Sequence, residues 1–102
     1  AGLLASYHGI TGRGVCGGSL VNANRVITAA HCWFDGLYQA YIFEVIFGST
    51  TLFTGGTRIE SSNVVMHPNW NPSLVRNDVA VIYLPTPVSF SAGKLPQLYE
   101  WA

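Results

Sequence analysis

Every apolar run in this chain is short, and residues that turn the backbone cut most of them off. Leu3 to His8 stops at Gly9, and Val15 to Val21 stops at Asn22-Ala23-Asn24. Arg25 to Thr28 follows; Tyr41 to Phe47 stops at Gly48; Thr57 to Met66 is longer; Asp78 to Leu84 stops at Pro85 and Pro87. An apolar run of this length fits a helix or a strand on periodicity alone. Length and β-branching decide for strand, since Val, Ile, Tyr and Phe crowd these runs. The turns are rich in Gly and Asn, which tolerate left-handed backbone. Six strands at this spacing predict an all-β domain, one antiparallel barrel closed or nearly so. Ser61-Ser62-Asn63 predicts a bend or bulge in the fifth strand. The one helical candidate is a single turn around Ala29 to Trp33.

Composition narrows the function classes. Five basic residues balance five acidic ones, which excludes the basic surface of a typical nucleic-acid binder. Hydrophobic residues make up 49% and charged residues 10%, which excludes disorder and suits a domain that buries one face against a partner. No apolar run approaches the roughly 18 residues of a membrane helix. A length of 102 residues suits one domain.

The candidate chemistry gathers at Ile27-Thr28-Ala29-Ala30-His31-Cys32. A lone histidine is ordinarily a surface or hydrogen-bonded core residue. A histidine on a tight turn after a buried strand is held rigidly, as a general base must be, and its ordinary pKa near 6.5 suits proton exchange at neutral pH. Asp78 stands where an apolar strand begins. It is either a turn cap beside Asn77 or a carboxylate that needs a partner once buried. Cys16 and Cys32 are either bridged or free and buried. A bridge closing a loop of that size would contribute about 3 kcal/mol in the chain-entropy model. His8 and His67 read as surface residues. The three histidines lack the short paired spacing of a zinc site, so no metal or other cofactor is expected. The aromatics read as core filling.

Three blocks, Cys16-Gly17-Gly18-Ser19-Leu20, Thr28-Ala29-Ala30-His31-Cys32 and Asn77-Asp78-Val79-Ala80-Val81, resemble the chymotrypsin-like serine proteases in order and spacing. Cys32-Trp33-Phe34-Asp35-Gly36 and Asn69-Trp70-Asn71-Pro72-Ser73-Leu74 are similar to the digestive chymotrypsins of insect midgut. The resemblance implies the first six-stranded Greek-key barrel of the two-barrel chymotrypsin fold over residues 1–93. Residues 94–102 then stand as a divergent tail where that family crosses to its second barrel. It implies His31 as general base, Asp78 as its orienting acid and a Cys16–Cys32 disulfide. It places Val75 beside the histidine and Val15 on the leaving-group side of a bound peptide. It implies secretion, to the gut lumen for the digestive members, and three partners: peptide or protein substrates, protease inhibitors and a C-terminal barrel.

The nucleophile departs from the pattern. None of Ser6, Ser19, Ser49, Ser61, Ser62, Ser73, Ser89 and Ser91 sits in a glycine-flanked elbow like the family's Gly-Asp-Ser-Gly-Gly. The expected function is therefore the N-terminal part of a secreted serine endopeptidase, inactive by itself. The alternative is a non-catalytic truncated paralogue or half-domain serving as a binding module.

Overall fold

The computed structural model describes residues 1–48 and 55–88. The expected tail at 94–102 lies outside the described residues, as do Ser49, Ser89 and Ser91. Seven strands form one antiparallel sheet: β1 (Gly2–Tyr7), β2 (Arg13–Asn22), β3 (Arg25–Thr28), β4 (Ala40–Phe47), β5 (Thr57–Ser61), β6 (Val64–Met66) and β7 (Ala80–Tyr83). A single 3-10 turn, Ala30–Cys32, is the one helical piece among the described residues. The strand order is β5-β4-β1-β2-β3-β7-β6.

The count is seven where six were expected, because the predicted run from Thr57 to Met66 divides at Ser62-Asn63. The cause is local. The Ser61 hydroxyl turns inward and donates to the Tyr83 carbonyl at 2.6 Å, while the Tyr83 amide donates to the Asn63 carbonyl at 2.8 Å. The two halves, β5 and β6, are opposite edges of the sheet yet only two residues apart in the chain. The sheet is therefore curled, and its edges meet at this corner. The last strand is also shorter than expected. Asp78 and Val79 leave the ladder because the Val79 amide donates to Asn77 O at 2.9 Å in a tight turn.

Alternation along the strands selects what fills the inside. Leu3 and Ala5 of β1, Val26 of β3, Phe43, Val45 and Phe47 of β4 and Ile82 of β7 are fully buried in one cluster. Each of the larger side chains is worth roughly 1.5–3 kcal/mol on burial. Gly18 lets this core close: a Cβ there would stand 2.8 Å from Val26 Cγ1 and 3.1 Å from the Ile27 carbonyl. Phe43 and Phe47 meet the expectation of core-filling aromatics, and Trp33 packs on Phe43 at 5.0 Å between ring centres. Tyr38 and Tyr41 do not, since both are exposed.

Candidate active site

The sheet register collects the chemistry at one end. Thr28 closes β3 and pairs with Ala80, the first residue of β7; it also pairs with Gly18 on β2. His31 is three residues beyond Thr28, Asp78 two residues before Ala80, and Cys16 two residues before Gly18. Antiparallel pairing brings all three to one rim.

Several bonds hold the His31 turn in place. The Thr28 hydroxyl donates to Gly17 O at 2.8 Å, which pins the end of β3 to β2. Ala29 is extended, then the Cys32 and Trp33 amides donate back to Ala29 and Ala30 carbonyls at 3.1 and 3.0 Å. The Tyr7 hydroxyl reaches across from β1 and donates to the Cys32 carbonyl at 2.6 Å. Cys16 and Cys32 are bridged, with Cα atoms 6.2 Å apart. Just downstream, Asp35 accepts from the Tyr38 and Leu37 amides at 2.7 and 2.8 Å. Those two amides hold its carboxyl below the ordinary carboxylate value.

Asp78 grips this turn with both oxygens. The His31 backbone N–H donates to Oδ1 at 2.7 Å, and the ring Nδ1 lies 2.6 Å from Oδ2. The second contact assigns the tautomer: a carboxylate accepts, so Nδ1 carries the proton and Nε2 keeps a lone pair. The His31 side chain is 54% exposed and that of Asp78 22%, so the acid is largely covered and the base is open. Among the described residues no serine hydroxyl bonds to Nε2, whose neighbour is Cys32 Sγ at 3.8 Å.

The loop that carries Asp78 is strained. The Asn71 and Arg76 backbones pair at 3.0 and 3.2 Å, and the Asn77 side chain donates to Asn69 O at 3.0 Å. Asn77 has φ 58, which asparagine tolerates, but Val75 has φ 51, a true outlier for a β-branched residue. Trp70 anchors the loop to the histidine side by donating its indole N–H to Phe34 O at 2.9 Å.

The structure thus joins four of the expected site residues, His31, Asp78, Cys16 and Cys32. Val75 is 66% exposed on its loop and Val15 is 37% exposed on β2; neither touches the His31–Asp78 pair through a polar contact. His67 differs from its reading as a surface residue: it is half-buried, and its Nδ1 accepts from the Asn69 amide at 3.0 Å. His8 is exposed and stacks on Tyr41 at 4.8 Å. Sequence reasoning missed Tyr7 and the positioning part of Thr28. Neither carries a local signal, because each bonds across strands that are paired only in the folded sheet.

Known proteins share this arrangement. The family model described as Trypsin matches residues 4–97. Achelase-1 of Lonomia achelous is 36% identical over 82% of this chain and 38% of its own length. Trypsin of Sarcophaga bullata is 40% identical over 76% of this chain and 30% of its own. Brachyurin of Leptuca pugilator is 38% identical over 76% of this chain and 34% of its own. The chain therefore spans about a third of the length of these relatives. Among solved structures, HL collagenase superposes with a TM-score of 0.77 at 32% identity, over 93% of this chain and 39% of that one. An inactivated protease paralogue of the scabies mite, S-D1, gives 0.72 at 29% identity, over 89% of this chain and 36% of that one. The chain belongs to the trypsin family of chymotrypsin-like serine proteases.

Proposed function

We propose that this chain supplies the general base and orienting acid of a secreted serine endopeptidase. His31 Nε2 takes the proton of a serine hydroxyl as it attacks a peptide carbonyl, then gives it to the departing amine. Asp78 keeps Nδ1 protonated and stabilises the imidazolium that forms between the two steps. The two-oxygen grip of Asp78 on His31 carries this reading, because it leaves Nε2 as the free, exposed acceptor. Val75 and Val15 offer apolar side chains to a bound peptide on either side of the histidine. The disulfide suits an oxidising, extracellular setting such as a gut lumen. Among the described residues no helix is long and apolar enough to cross a membrane. Peptide substrates and protease inhibitors would meet the complete enzyme, in which a C-terminal barrel supplies the serine, the oxyanion donors and the pocket.

By itself the chain should be inactive. A base and an acid cannot form an acyl-enzyme, and each missing oxyanion donor alone is worth about 2.7–4 kcal/mol in such enzymes. The test uses a chromogenic chymotrypsin substrate and a serine-directed fluorophosphonate. The chain alone should show neither turnover nor labelling. With a complementary C-terminal half bearing a free Ile-Val-Gly-Gly start, turnover should appear and vanish with His31→Ala. The inactivated paralogue among the solved neighbours supports the second reading, a non-catalytic binding module. Silence of the complemented pair would favour it, and labelling of the isolated chain would refute both.

A further inference from the structure

Asp78 occupies only Nδ1 of His31; Nε2 faces Cys32 Sγ at 3.8 Å. One donor atom each from Cys16, His31 and Cys32 lies within 4.8 Å of the others. While the sulfurs are joined they are poor ligands, because a metal takes thiolates. A dithiol reductant changes this. The S–S bond accepts two electrons and two protons, the dithiol closes to its own disulfide, and two thiols remain. We propose that the reduced chain holds a divalent zinc ion on Cys16 Sγ, Cys32 Sγ and His31 Nε2, with water in the fourth position and Asp78 as the outer partner of the histidine.

The geometry is close to what zinc needs. Tetrahedral bonds of about 2.3 Å to sulfur and 2.0–2.1 Å to nitrogen set ligand atoms roughly 3.5–3.8 Å apart. The His31–Cys32 separation already has that value, so only the two sulfurs must part. Cys16, half-buried at the rim, can swing; Cys32, at 3% exposure, stays. Two thiolates, a neutral imidazole and Zn²⁺ sum to zero charge, so the centre brings no net charge into this partly buried place. Binding releases the two thiol protons. A metal-bound histidine nearly always gives its other N–H to a carboxylate or carbonyl, which fixes the ring. Asp78 already does so at 2.6 Å and is itself fixed by the His31 amide. The open side of His31 leaves room for the water. Zinc here would occupy the nitrogen that proton transfer requires, so reduction and metal together would silence the base.

The experiment reduces the chain with a dithiol, removes it under argon and titrates Co²⁺, then chases with Zn²⁺. One equivalent should bind with thiolate charge-transfer and tetrahedral d–d bands, and Zn²⁺ should displace it. The disulfide form should show neither. Asp78→Asn should weaken zinc 10–100-fold, the usual effect of losing an outer partner, and His31→Ala by at least as much. Asp78 lies 47 positions from His31 in the chain, so an unfolded reduced chain that chelates through its cysteines would ignore Asp78→Asn. Equal affinity in the parent and Asp78→Asn chains, or equal binding by the disulfide and reduced forms, would overturn the proposal. Neither outcome touches the proton-transfer reading, which concerns the disulfide form.

Discussion

Tyr7 shows how one side chain serves both packing and the site. Its ring lies over Gly14, where a Cβ would stand 2.8 Å from a ring carbon, and its hydroxyl holds the Cys32 carbonyl at 2.6 Å. Burial pushes the phenol above its ordinary value, and the charge of Asp35 adds to the rise. A raised value means the folded state keeps the proton more tightly than the unfolded state does. Stability from this source is whole below the ordinary tyrosine pKa near 10 and is lost as pH rises through the higher folded value. Tyr7→Phe should therefore cost about 0.5–1.5 kcal/mol at neutral pH, for the lost hydrogen bond, and flatten part of the alkaline decline. Urea unfolding at pH 8 and at pH 11 checks both parts. An equal loss at the two pH values would show that the phenol does not ionise differently on folding.

Among the elements, β2 and β3 carry the tightest constraint. Gly18 faces Val26 and the Ile27 backbone with no room for a methyl group, and it sits one register pair from the end of β3 that aims His31. Gly18→Ala should cost about 1–3 kcal/mol through overpacking. Gly12→Ala, with nothing within 4 Å of the added carbon, should be near neutral. Thermal unfolding of the two variants decides; equal melting temperatures would place the core's slack elsewhere. Much of this was legible beforehand. Alternation and turn residues marked every strand, and Ser61-Ser62-Asn63 marked the bend. That the bend divides the strand was not legible, because its cause is the Ser61–Tyr83 bond across the sheet. The block resemblance pointed to His31, Asp78 and the bridge. The φ of 51 at Val75 could not be read from a residue type that avoids it; the paired Asn71 and Arg76 backbones impose it. That strain costs of order 1–3 kcal/mol, held beside the acid that orients His31.

At the scale of the whole molecule, two closures of different kind hold the curled sheet. The Cys16–Cys32 bridge spans 16 positions and acts chiefly on the unfolded chain, where a loop of that size is worth about 3 kcal/mol. The Ser61 corner acts only in the folded state. Its buried hydroxyl donates to Tyr83 O and accepts from the Asn63 amide at 3.2 Å, so that β5 and β6 meet. Removing each should leave a different signature. Replacing both cysteines by alanine should lower stability by about 3 kcal/mol and raise the denaturant slope, because the unfolded chain expands and exposes more surface. Ser61→Ala should cost about 1–2 kcal/mol, since Tyr83 O loses its side-chain donor, and leave the slope unchanged. Amide exchange should quicken in β5 and β6 in Ser61→Ala but stay slow in β2 and β3. The pairing of His31 with Asp78 depends on β3 and β7 remaining in register, so it should survive the Ser61 change. A raised slope in Ser61→Ala, or loss of protection in β3, would show that the sheet opens as one unit and that the corner holds the His31 rim as well.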